Sequence, residues 1–281
     1  MPLLIPRRLV ARGDSLSFFD FKARIMPMAE LPSLTAVERA RYEWQMWLPH
    51  LGEVGQQKLK AASVLISRIG GVGGTVASYL AAAGIGKLVL AHGGKIQPSD
   101  LNRQLLMTTP RLGTLRVDSA RERLGELNPH VEVVTLAEHV SEDNVVGLVA
   151  QADFIVDAAP RFGERFLLNR ESVRQGKPMV ECAMYEFDAQ LTTFIPGQTG
   201  CLACLLPESP PHWKREFPVI GAVPGIVGAM AALEVIKLVT GCAAPLAGTM
   251  LWMSLATMDF QKVPLLRRKD CAVCGCAVGR N

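Results

Sequence analysis

The sequence predicts an α/β protein: a Rossmann-like, doubly wound, mainly parallel sheet with an antiparallel C-terminal extension. Three observations predict it. Short apolar runs alternate with helical stretches from Val64 to Val180. A glycine-rich turn, Arg68-Ile69-Gly70-Gly71-Val72-Gly73-Gly74, follows the first of these runs and opens a helix. Beyond residue 185 the rhythm changes to alternating, hairpin-like segments. Strand–helix–strand alternation produces parallel sheets covered by helices, and such sheets take ligands at the carboxyl ends of their strands.

The elements follow in chain order. Residues 1–30 have no clean period and are rich in Pro, Arg and Met, so 1–34 reads as a tail and 35–281 as one domain. Thr35 to about Trp47 is helical, with Thr35 as N-cap and Glu38 at the capping-box spacing. Val64-Leu65-Ile66 is a short strand, and the glycine turn leads into a helix that Gly84 and Gly86 end. Leu88-Val89-Leu90 is a second strand. Val117 to Leu127 is helical and stops at Asn128-Pro129. Val131 to Leu136 alternates as a strand, Glu142 to Gln151 is helical, and Phe154-Ile155-Val156 is a buried strand. Phe162 to Gln175 is helical, and Met179-Val180 opens another strand. Gln190 to Ile195 alternates like an antiparallel strand. A Pro-rich loop spans Pro207 to Pro218, a helix runs from about Gly225 to Thr240, and Met250 to Leu255 with Phe260 to Leu265 forms a closing hairpin.

Composition sets the class. At 281 residues the chain holds one large α/β domain with extensions, or two small ones. With 49% hydrophobic and 20% charged residues, a sizeable core is expected and wholesale disorder is excluded. A net charge of +4, with acids interleaved among the bases, does not point to nucleic acid. No stretch of roughly 18 apolar residues is present, and the Gly/Ala-rich run Gly221–Leu233 reads as a buried helix, so no membrane span is expected. Arg7, Arg8 and Arg12 are not followed by a signal-type apolar run. Seven cysteines, four of them in CxxC pairs, suit metal binding in a reducing compartment. These features predict a cytoplasmic protein.

The glycine turn has two readings. Gly70, Gly71 and Gly73 let backbone N–H groups approach a phosphate at a helix N-terminus. Alternatively, the turn packs tightly and binds nothing. A dinucleotide fold usually places an acid after the second strand to hold the ribose, and here that stretch is Ala91-His92-Gly93-Gly94, so plain NAD binding is disfavoured.

Cys201-Leu202-Ala203-Cys204 and Cys271-Ala272-Val273-Cys274 have zinc-ribbon spacing. Four thiolates from two loops complete a tetrahedral, closed and therefore structural zinc site. The alternative is four ordinary buried cysteines. Cys276 competes with Cys274 as a ligand, but the spacing favours Cys274.

Several segments together resemble the ThiF/MoeB/HesA family, the bacterial relatives of ubiquitin-activating enzymes. Arg41-Tyr42-Glu43-Trp44-Gln45 is similar to its RYxRQ opening, and Gly55 to Leu59 to its GQQKL helix. Ser63 to Gly73 is similar to its VLxxGxGGxG turn, Ser99 to Gln104 to its SNLNRQ, and Asn128-Pro129-His130 to its NPH element. The CxxC pairs match its zinc ligands in order, and Glu181–Pro196 and Trp213–Gly241 look closest to HesA-like members. The resemblance covers roughly residues 35–275. It implies ATP-dependent adenylylation of the C-terminus of a ubiquitin-like sulfur carrier, usually by a homodimer in which an arginine reaches into the partner's site. It also implies a nucleotide site at Gly70, Gly71, Gly73, Gly94, Asn102, Arg103, Gln104 and Arg116, with Arg103 and Arg116 as the catalytic cations.

The chain departs from the pattern at the groups that do the chemistry. The first glycine of the turn is Arg68. The ribose-holding acid is replaced by Gly94, the asparagine of SNLNRQ by Asp100, and the phosphate-binding lysine by Arg116. In the family's D-x-x-D-N, the magnesium-binding aspartate is Pro160 and the asparagine is Arg161. The partner-reaching arginine aligns with Trp44. Arg103 and Gln104 are retained. These changes predict weakened or lost adenylylation, with a pocket that accepts an anion or a nucleotide such as ATP without Mg²⁺; the alternative is a non-catalytic protein that docks a carrier tail or an active paralogue. Arg68, Arg103, Arg116 and Arg161 are expected to surround the phosphate pocket with few acids.

The remaining residues offer less. The loop Pro210–Pro218 has no cysteine for a thioester, and Cys182 and Cys242 read as packing residues. His92 is expected to line the pocket, whereas His50, His130, His139 and His212 read as turn or surface residues. Trp44 and Trp47, three apart, read as a packing stripe.

Overall fold

The computed structural model describes residues 31–208 and 218–275. The expected 1–34 tail, the loop from Pro210, His212 and Cys276 therefore lie wholly or mostly outside the described residues.

Thr35 caps α1 (Ala36–Met46) through a complete capping box: its hydroxyl accepts from the Glu38 N–H, and the Glu38 carboxylate accepts from the Thr35 N–H. The Glu38 carboxylate also takes Lys60 from the end of α2 (Gly52–Ala61). β1 (Ser63–Ile66) then runs into α3 (Gly71–Ala83), which ends on Gly84 in the left-handed conformation. β2 (Lys87–Ala91), α4 (Arg116–Leu127) and β3 (Glu132–Leu136) complete the first half. Asn128, after α4, is fully buried and donates to both the Tyr42 hydroxyl and the Ala81 carbonyl, each at 2.7 Å. One side chain thus ties α1, α3 and the end of α4 together.

The second half runs α5 (Val145–Ala150), β4 (Phe154–Asp157), α6 (Phe162–Gln175) and β5 (Met179–Tyr185). α5 is shorter than the Glu142–Gln151 helix the sequence suggests. The Asn144 side chain turns back to accept from the Ser141 N–H and donate to the His139 carbonyl, which holds 141–144 as a turn instead of a helical turn. β6 (Asp188–Phe194), the short α7 (Leu202–Leu205), α8 (Ala222–Thr240), β7 (Thr249–Ser254) and β8 (Asp259–Pro264) form the extension.

The eight strands make one sheet in the order β3-β2-β1-β4-β5-β6-β7-β8. The first five are parallel, with Val64 beside Leu88 and Phe154, and β6, β7 and β8 are antiparallel. Side-chain alternation splits the core across the sheet. Val64 and Ile66 face α3, α4 and α8, whereas Leu65 faces α5 and α6. α8 is long and apolar enough to cross a membrane by length and composition alone, but half of it is buried inside this fold, where it packs on α3 and β5. The chain reverses direction across the sheet between β1 and β4, so a crevice opens at their carboxyl ends.

Candidate functional site

That crevice is a cleft of about 360 Å³. Gly70, Gly71, Gly73, Arg103, Gln104 and Arg116 line it, together with Arg68, His92, Asp100, Pro160 and Arg161. Gly94 and Asn102 are not in the lining; Asn102 is exposed and its side-chain Oδ1 accepts from Arg103 Nη1. The glycine turn leaves backbone N–H groups open at the start of α3. Gly70 caps α3, and the first helical bond runs from the Gly74 N–H to the Gly70 carbonyl at 2.8 Å, which leaves the N–H groups before it without helical partners. A Cβ at Gly73 would lie 1.7 Å from the Arg68 carbonyl oxygen, so no side chain fits there.

Arg68 stands where the turn's first glycine is expected, and its φ of 149° is a conformation that side-chain-bearing residues rarely adopt. It is buried. Its Nε and Nη2 donate to the two carboxylate oxygens of Glu164 at 2.7 and 2.5 Å, and its Nη1 lies 3.0 Å from Nε2 of His139. This two-pronged charge pair offsets the backbone strain, which is on the order of 1–3 kcal/mol.

Gly94, Asp100 and Arg116 form a second unit. Arg116 donates from Nη2 and Nε to Oδ2 of Asp100 at 2.6 and 3.1 Å, and from Nη1 to the Gly93 carbonyl at 3.2 Å. A Cβ at Gly94 would lie 2.6 Å from that same Nη1. The glycine at 94, the aspartate at 100 and the arginine at 116 are thus one mutually fitted arrangement. Few acids surround the cleft arginines, as expected, but two of the arginines are already paired: Asp100, the one carboxylate in the lining among the described residues, holds Arg116, and Glu164, outside the lining, holds Arg68. Asp100 also adds no unpaired negative charge: Arg116 takes Oδ2 and the Gln104 amide takes Oδ1 at 2.7 Å.

Arg103 and Arg161 remain more open. Arg103 donates to the Ser99 carbonyl at 2.6 Å and has Asp100 only at 3.8 Å. Arg161 is exposed at the start of α6 and has no ion pair among the described residues.

The donors do not fit a protein-held magnesium ion. Asp100 is the one carboxylate in the cleft lining among the described residues, and both its oxygens are taken. Asp157 does not line the cleft. It is fully buried, 3.8 Å from Arg165, and burial pushes its carboxyl up to about 6. A hard divalent cation needs accessible oxygen ligands, which neither acid offers.

The four predicted metal ligands do converge. Sγ of Cys201 lies 3.7 Å from that of Cys271, Sγ of Cys204 lies 3.3 Å from that of Cys274, and all four lie within 4.8 Å of one another. Zinc–thiolate bonds of about 2.3 Å in a tetrahedron put sulfurs about 3.8 Å apart, so the cluster fits one Zn²⁺ with no open position. Cys201 precedes α7, and Asn169 of α6 donates to its sulfur at 3.6 Å. A metal held there would tie residues 271–274 to the α6 and α7 layer.

Sequence reasoning missed His139 and Glu164. His139, read as a turn or surface residue, is exposed as that reading has it, but it also lines the cleft, 5.9 Å from His92 between ring centres. Its signal is weak because it sits in an irregular stretch whose position depends on the tertiary fold. The Trp44–Trp47 packing stripe is also corrected: the rings stack on each other at 5.9 Å, but Trp44 is 78% exposed. Cys182 is buried as expected, and Cys242 follows the Gly241 cap of α8.

Comparison with known proteins decides the family. The ThiF family model matches residues 42–276. The chain belongs to the ThiF family. It is 48% identical over 243 residues to the heterocyst HesA protein of Trichormus variabilis, covering 86% of this chain and 91% of that protein. It is 37% identical over 250 residues to the sulfur carrier protein adenylyltransferase of Thermus thermophilus, covering 86% and 92%. Among solved structures, E. coli MccB with MccA-N7isoASN superposes with a TM-score of 0.77 at 23% identity, covering 84% of this chain and 74% of that one, which is a likeness of fold. This ThiF-family chain is thus similar in sequence to HesA proteins, and more distantly to a carrier adenylyltransferase, with a fold like that of MccB.

Proposed function

We propose that this ThiF-family chain binds an adenine nucleotide in the β1/β4 cleft and activates the C-terminal carboxylate of a small ubiquitin-like sulfur carrier, with adenylylation weaker than the family pattern supports. The observation that carries it is the glycine turn Gly70–Gly73 at the N-terminus of α3, opening onto Arg103 and Arg161. Backbone N–H groups and two guanidiniums suit a polyphosphate and the charge that develops when a carboxylate attacks the α-phosphoryl group. The carrier substrate is suggested by the likeness to the Thermus adenylyltransferase. Arg103 is the catalytic cation of this reading. Arg116 supports the cleft through Asp100 instead of meeting phosphate directly.

Weakening follows from the missing carboxylates. Each lost electrostatic contact of this kind costs about 3 kcal/mol, on the order of a hundredfold in rate. A second reading, a non-catalytic protein that docks a carrier tail or an active paralogue, is favoured by the lack of a free acid for a metal among the described residues that line the cleft. ATP–pyrophosphate exchange with a Gly-Gly-ended carrier separates them: slow, carrier-dependent exchange supports the enzyme, and a stable carrier complex without exchange supports the docking protein. We take the working unit as a cytoplasmic homodimer with one structural zinc ion per chain, since thiolate zinc sites suit a reducing compartment.

A further inference from the structure

His139 presents a hydrogen-bonding conflict. The Gly93 backbone N–H donates to its Nδ1 at 3.0 Å. A backbone amide only donates, so Nδ1 is the acceptor and the neutral ring carries its hydrogen on Nε2. Nε2 in turn lies 3.0 Å from Nη1 of Arg68, which also only donates. Two N–H donors therefore face each other at the wall of the cleft, both residues lining it. Glu164 occupies Nε and Nη2 of Arg68 and leaves Nη1 directed at the ring. Paired donors of this kind are resolved by one acceptor oxygen that takes both, and an anionic oxygen does so best.

The wider field agrees. Burial and then the positive charges of Arg68, Arg161 and Arg116 hold the His139 imidazole below its ordinary range, with Glu164 opposing them. The ring is thus kept neutral in a positive environment, the state in which Nε2–H is a fixed donor.

We propose that Arg68 Nη1 and His139 Nε2 form an anion subsite that receives a terminal phosphoryl group of a bound nucleotide, without a protein-held divalent cation. The subsite rests on the nucleotide reading for the identity of its natural ligand, but not for its chemistry. It takes phosphoryl oxygens through N–H donors and uses Arg161 at the rim as a further counter-charge.

The test is calorimetric titration of the full chain with inorganic pyrophosphate in EDTA. The wild type is expected to bind, and both His139→Asn and Arg68→Gly are expected to weaken binding at least about tenfold. Asparagine can still accept from the Gly93 N–H while removing the Nε2 donor. Glycine suits φ 149° but leaves Glu164 without its partner, so a thermal melt checks that the variant folds; if it does not, His139→Asn alone decides. Pyrophosphate binding that requires Mg²⁺, or a folded His139→Asn protein that binds as tightly as wild type, overturns the subsite. A chain that binds pyrophosphate in this way yet shows no carrier-dependent exchange keeps the subsite and sinks the adenylylation reading.

Discussion

Arg116 reaches across the cleft to Asp100 and places two of its nitrogens on one carboxylate oxygen, at 2.6 and 3.1 Å. The space for this reach exists because residue 94 is glycine. Glycine at 94, aspartate at 100 and arginine at 116 fit one another as a set, which sets the first expectation.

Gly94→Asp, which restores the family acid alone, should destabilise the protein by about 2–4 kcal/mol, because its Cβ meets Arg116 and φ at 94 is +89°. Adding Arg116→Lys should recover part of that loss, since a slimmer side chain vacates the contact. Urea unfolding of the two single variants and the double variant measures the coupling. Additive effects would mean that the two positions do not share space.

Arg68→Gly relieves backbone strain but strands Glu164, which is buried. Breaking a buried pair from one side costs about 3–5 kcal/mol, more than the strain returns. The single variant should therefore unfold at lower denaturant, and Arg68→Gly combined with Glu164→Gln should be restored toward wild type. Equal midpoints for the single and double variants would count against the pair as the strain's counterweight.

Zinc should be present at one ion per chain by elemental analysis. Cys204→Ser or prolonged chelation should lower the melting temperature, with the C-terminal segment becoming sensitive to protease first, because the metal ties Cys271 and Cys274 to the α7 region. A metal-free chain with an unchanged melt would remove the structural role.

Asp157 gives a pH dependence with a defined sign. Burial raises its carboxyl from 3.8 to about 6 in the folded protein, so the folded state binds the proton more tightly than the unfolded chain. This contribution penalises folding above about pH 6, and the penalty disappears as pH falls toward 4. Relative to Asp157→Asn, the wild type should gain up to about 3 kcal/mol between pH 7 and pH 4. Parallel stability–pH curves for the two proteins would show that the carboxyl is not shifted.

Much of the fold was legible in the sequence because its signals are local. Thr35 and Glu38 announce a capping box, Asn128-Pro129 ends α4, and the short apolar runs mark the parallel strands. The four cysteines were legible because thiol spacing specifies a metal geometry. The cleft was legible in its membership but not in its pairing. Arg68 and Glu164 are far apart in sequence, as are Arg68 and His139, and only the β1/β4 crossover brings them together. Charges counted along the chain therefore suggested open arginines where tertiary contacts supply buried acids. Asn144 misled for a related reason: its side chain competes with the helical backbone, and propensity does not reveal which wins.

The most direct measurement is calorimetric titration of ATP into the chain in EDTA and again in excess Mg²⁺. A cleft that meets phosphate with arginine, histidine and backbone N–H groups should bind ATP in both, with affinities within about threefold of each other. Binding that appears only with Mg²⁺, or tightens by about a hundredfold with it, would contradict a site that holds phosphate without a protein-bound metal.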